Sequence, residues 1–159
     1  MQYARLTKEQ LEELHQEFIN FLATQSITAD EWQEIKTNKP HVAEEEIDVF
    51  SDLVWENVLT KASYLEHMSP NQMHLFELRE DKMALIAVKI NKEGIDITTK
   101  EGYQWLQQNL GDDNVVFMSA SKEYGEKPNA DKFKLIQQGA VITKGDLYQW
   151  FSRFVDIKE

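Results

Sequence analysis

Four histidines, at positions 15, 41, 67 and 74, are the side chains of this 159-residue chain best suited to hold a metal or move a proton near neutral pH. Glu12-x-x-His15 has the helical spacing by which carboxylate-bridged iron proteins bring a glutamate and an imidazole to one metal. Such a centre needs a second pair and further glutamates, and the chain has no second Glu-x-x-His. His15, with Ile19 and Leu22 on the same side, fits the edge of an apolar helix face better. His41, Glu45 and Asp48 fall at i, i+4 and i+7, so one imidazole and two carboxylates can serve a divalent ion if they converge. Carboxylates are dense enough here that some fall near any histidine, and a solvated acidic face is the plainer reading. His67 and His74 sit on neighbouring predicted strands and can face one another, with no carboxylate spaced to complete a site.

Nucleophilic chemistry finds no support. There is no cysteine, no Gly-x-Ser-x-Gly elbow and no Gly-x-Gly-x-x-Gly. "KEYGEKPN" has one glycine and lacks the Gly-Lys-Ser/Thr ending of a phosphate cradle, and "GDDN" lacks the repeated oxygens of a calcium loop. No catalytic residue and no cofactor are expected, which favours a protein that is not an enzyme.

The stretch "VITKGDLYQW", residues 141–150, resembles a small active-site loop but reads as the start of a helix. Thr143 can accept from an amide that the first turn leaves without a partner, and Asp146 favours the positive helix start. Ile142 and Leu147 would then clasp the turn as a hydrophobic staple. The same grammar occurs at Leu6, Thr7, Gln10 and Leu11, at Ile27, Thr28, Glu31 and Trp32, and at Ile97, Thr98 and Glu101. Helices are therefore predicted over 8–24, 29–37, 40–61, 99–110, 130–138 and 144–155. Between them the apolar period changes from helical to alternating, and strands are predicted over 63–67, 73–79, 83–90 and 114–120. Helices first, then about four mainly antiparallel strands mixed with three further helices, predict an α+β fold, taken as one domain over 1–159.

The composition suits a globular chain: 42% hydrophobic, 11% aromatic, and no apolar run near the roughly 20 residues of a membrane helix. An N-terminus without an apolar signal segment points to the cytoplasm. Net charge is −11 and uneven: residues 1–60 hold 13 acids and 4 bases, residues 61–159 hold 15 acids and 13 bases. That sign disfavours nucleic acid and anionic membranes as partners and permits a basic protein.

In the helix predicted over 40–61, about 100° per residue gathers Val42, Ile47, Val49, Phe50, Leu53, Val54 and Val58 on one broad face. Glu44, Glu45, Asp48, Asp52 and Glu56 share the other. Trp55 falls among the acids, and Glu46 falls among the apolar residues, with Arg5 as a candidate partner. Trp105 also falls opposite the apolar side of its helix, whereas Leu147, Trp150, Phe151 and Phe154 form one core stripe.

Taken together, "YARLTKEQLEEL", "FLATQSITADEW", "FSDLVWENVL" and "QGAVITKGDLYQWF" resemble a family of short proteins of Bacteroidota-type bacteria, domain of unknown function 6495, over the whole chain. The resemblance implies a bacterial, cytoplasmic, single-domain protein and supplies no activity, cofactor or catalytic residue. The expected function is a binding module that engages a protein, or a second copy of itself, through Trp55, Asp48, Asp52 and Glu56. Two alternatives are a metal-binding protein or metal-assisted hydrolase built on His41, Glu45 and Asp48, and an acidic decoy of nucleic acid.

Overall fold

Thr7 and Gln10 cap the first helix reciprocally: the Gln10 amide donates to Thr7 Oγ1 at 3.2 Å, and the Thr7 amide donates to Gln10 Oε1 at 2.8 Å. Thr28 accepts from the Glu31 amide at 3.2 Å in the same way. The structure, a computed structural model, describes residues 1–158, with side chains through Val155. Among these residues the chain forms seven helices and one five-stranded antiparallel sheet, an α+β fold. It divides into two units, Met1–Thr60 and Lys61–Glu159.

The first unit holds α1 (Lys8–Glu13), α2 (His15–Thr24), α3 (Ala29–Asn38) and α4, which runs Pro40–Lys61 to the unit boundary. The single helix expected over 8–24 is broken at Leu14, whose φ of −98° and ψ of 23° leave the helical range. Leu6, Phe18, Leu22 and Phe50 form the core of this unit. Its packing is aromatic, with the Phe18 ring tilted against Phe50 at 5.0 Å and against Trp32 at 5.2 Å between ring centroids.

The second unit is built on strands in the order β4-β3-β2-β1-β5. These are β1 (Tyr64–Ser69), β2 (Gln72–Leu78), β3 (Lys82–Ile90), β4 (Val115–Glu123) and β5 (Val141–Thr143). Pairing of Leu75 with Ile86 and of Met73 with Val88 sends these four side chains to one face. There they meet Leu106 of α5 (Lys100–Gln108) and Phe151 and Val155 of α7 (Asp146–Lys158) in the main core. The opposite face is covered in part by α6 (Pro128–Gln137), whose Leu135 and Ile136 pack on Leu65, Leu78 and Met83.

Two of the four predicted caps shift. The cap of α5 is Thr99, which accepts from the Gly102 amide at 3.1 Å, while Thr98 turns to Asp96. Thr143 pairs with Tyr64 in the sheet, so 141–143 is a fifth strand and the last helix starts at Asp146. Three residues are too few to show an alternating pattern, and the staple proposed for Ile142 gives way to its pairing with Leu65.

Gly102 sits where α5 comes closest to the loop before it, and a Cβ there would fall inside the Asp96 carbonyl. Alanine is ordinarily the better helix former by about 1 kcal/mol. Gly102→Ala is nonetheless expected to destabilise the protein by about 2 kcal/mol or more, because backbone must move to admit the methyl. Equilibrium urea unfolding measures this, and a neutral or stabilising result would contradict the close approach.

Candidate functional site

The acidic side of α4 is occupied by the chain's own beginning. Asp52 accepts from the amides of Gln2 and Tyr3 at 2.7 and 2.9 Å. Arg5 grips Asp48 with two nitrogens, at 2.6 and 3.1 Å. The Tyr3 hydroxyl donates to Glu56, and the Leu6 amide donates to buried Ser51 Oγ at 3.1 Å. Residues 2–6 thus lie along the helix as a strap. Hydrogen bonding from Arg5 holds the Asp48 carboxyl below its ordinary value. Burial, the bond to Glu56 and the nearby carboxylates push the Tyr3 phenol up to about 12.

This strap changes the meaning of the residues proposed to meet a partner. Asp48, Asp52 and Glu56 are already engaged within the chain, and Trp55 is half-buried, packed on the aromatic core of its unit rather than stranded in solvent. Trp105, the other tryptophan expected off its face, packs on the main core of the second unit with the Lys92 ammonium 5.2 Å above its ring. The broad apolar face expected for α4 is also split. Phe50 is buried and Ile47 and Val54 pack inward, while Val49 and Leu53 remain 52% and 54% exposed. The core centres on Phe50, Val54 and Ile47, and at about 100° per residue Val49 and Leu53 fall at or beyond its edge. Glu46 does not reach Arg5, which is committed to Asp48; its Oε2 is buried without a hydrogen-bond partner among the described residues.

The candidate metal ligands are not gathered. His41 and Glu45 are exposed in the first turns of α4, and Asp48 faces Arg5. The break at Leu14 places Glu12 and His15 on different helices, and His15 is exposed rather than packed. Among the described residues no three His, Asp or Glu side chains form a metal-binding group.

The second unit carries a groove of about 450 Å³ on the less covered face of the sheet, with His67 and His74 in its wall. The two are direct cross-strand partners, with ring centroids 6.3 Å apart. Phe76, Leu85, Leu135 and Ala140 supply apolar lining, and Gln72 and Gln138 supply amides. A Cβ on Gly139 would stand 3.0 Å from His67 Nε2, so the absent side chain leaves room beside the imidazole. Burial, and then the charge of His67, hold the His74 imidazole below its ordinary value. The alternation of the strands signals the histidine pairing in the sequence; the contribution of α6 to the groove has no sequence signal.

Residues 1–156 match a family of unknown function (DUF6495). No curated protein and no solved structure matches the chain.

Replacing Glu56 by Gln removes the charge and weakens the acceptor that hold the Tyr3 proton. The Tyr3 phenol, raised to about 12, is expected to ionise at lower pH in Glu56→Gln. Ultraviolet titration of phenolate, differenced against Tyr3→Phe, reads this directly. The sign for stability follows from the raised value: the contribution is complete below the ordinary tyrosine pKa near 10 and is lost as pH climbs from there through about 12. An unchanged titration would show that the strap does not hold Tyr3 on Glu56.

Proposed function

We propose a non-enzymatic role for this chain, which belongs to the family of unknown function DUF6495: it binds a basic protein segment through the outer face of α4. The observation that carries the reading is the pair Val49 and Leu53, 52% and 54% exposed one turn apart on a 22-residue helix. By helical spacing Glu45, Asp52 and Glu56 flank them on one side and Glu46 on the other. Two apolar side chains between carboxylates suit a partner helix with an apolar row bordered by lysine or arginine. The excess of nine negative charges in residues 1–60 favours such a partner over a second copy of the same surface.

Among the sequence-predicted contacts, Glu56 stays at the rim, Asp48 and Asp52 act by holding the strap, and Trp55 supports the helix from inside. Burial of the Glu46 oxygen that lacks a donor adds to the reading, since a partner lysine would supply one. No helix among the described residues is long and apolar enough to cross a membrane, and the setting in this reading is the bacterial cytoplasm.

A designed amphipathic leucine-lysine peptide is the probe, followed by fluorescence anisotropy. Wild-type protein is expected to bind it about tenfold more tightly than Val49→Ser/Leu53→Ser, a surface double variant expected to keep wild-type stability. A peptide of equal charge with serine in place of leucine should bind the two proteins alike. Equal affinity of wild type and double variant for the leucine-lysine peptide would overturn the proposal. A dimer in light scattering that the double variant abolishes would replace the basic partner with self-association.

A further inference from the structure

The register of the sheet sorts its charges by face. Glu66, Glu77 and Glu123 all share the parity of the main-core residues Met73, Leu75, Ile86 and Val88. On the other parity the five strands carry His67, His74, Lys89 and Lys122 and no carboxylate. In a chain of net charge −11 this face is the exception. The groove opens on it, with Lys89 directly across the strand pair from Gln72.

The groove's contents specify a ligand further. Two imidazoles 6.3 Å apart can both donate to one carboxylate set between them. Phe76, 6.5 Å from His74 between ring centroids, and Leu135 offer a surface for an apolar body. The remaining neighbours do not oppose an anion. The wall there is Leu135 of α6 and Gln138, the residue that caps it, with Lys134 one turn before Gln138; β3 contributes Leu85. The last carbonyls of α6 are taken by the amides of Gln138, Gly139 and Ala140 at 3.0 to 3.2 Å, which blunts the negative end of that helix. Burial, and then the charge of His67, disfavour the charged form of His74, and an anion beside the ring would offset both.

We infer that the His67–His74 groove is a binding site for a small monocarboxylate with an aromatic body, held by the two imidazoles at its acid end. The site lies in the second unit and goes beyond the protein-binding role proposed for α4.

Phenylacetate is the probe, with phenylacetamide as the uncharged counterpart of the same shape. Titration of the full chain is followed by the histidine ring signals in NMR, where exposed His15 and His41 serve as internal controls. The His67 and His74 signals should move and saturate with phenylacetate, with those of His15 and His41 unmoved. Affinity should fall about tenfold from about pH 6 to about pH 8, the range over which imidazole ordinarily loses its charge. Phenylacetamide should bind about tenfold more weakly at the lower pH. His67→Gln/His74→Gln should lose the preference for the acid over the amide. Absence of a saturable shift at His67 and His74 would overturn the inference. So would equal binding of acid and amide, an affinity constant across that pH range, or a double variant that keeps its acid preference.

Discussion

Successive side chains of a strand must point to opposite faces, and in the second unit that constraint governs everything else. Once Met73, Leu75, Ile86 and Val88 are committed to the main core, the remaining residues of β2 and β3 are sent to the other side. A slip of one residue would move the whole apolar set out of the main core, so the register is held by the burial of that core. His67 and His74 follow passively: they face one another because their neighbours Met68 and Met73 pack inward. The same rule takes Glu66 to the core side, where burial raises its carboxyl and the Thr143 hydroxyl counters by hydrogen bonding to it. Thr143, placed beside Tyr64 by β5, therefore serves the sheet rather than the helix that follows.

In the first unit the governing problem is electrostatic. Asp48, Asp52 and Glu56 recur every four residues on α4, a spacing at which like charges repel. The chain resolves this with residues that have no helix or strand of their own. Two backbone amides satisfy Asp52, a guanidinium satisfies Asp48 and a phenol satisfies Glu56. Because Leu6, on the same segment, enters the aromatic core, the strap is held by burial as well as by hydrogen bonds. What is left outside is the row at Val49 and Leu53.

Much of this was legible in residue order. Helix caps at Thr7 and Thr28, the span Pro40–Lys61 and the β2–β3 hairpin all arise from local rules, and local rules read well from sequence. The shifts have local causes too. In "ITTKEG" two adjacent threonines offer themselves as caps, and the one that accepts from Gly102 is the second, because the first is drawn to Asp96. The strap was not legible, since nothing in "QYARL" announces that it will lie on a helix more than forty residues away. Its effect on Trp55 was therefore missed as well: a helical wheel shows which residues share a side but not which side is covered. The histidine pair was visible from alternation, and the groove beside it was not, because α6 and Gly139 reach it through tertiary packing.

The two proposed surfaces are of opposite chemistry, and that keeps them separable. The α4 face offers carboxylates, a class of group that ordinarily titrates well below imidazole. In the proposed groove site a carboxylate is held best by imidazolium, whose class of group ordinarily loses its charge near neutral pH. Salt does not divide the two, because it screens exposed ion contacts of either sign. pH does, and the reason lies in the sorting described above: the strand parity that keeps every sheet glutamate off the groove's face leaves the histidines as the groove's own titrating groups. A glutamate on that parity would have supplied a fixed counter-charge and closed the site to anions. Its absence is a consequence of register, and register is set by the core.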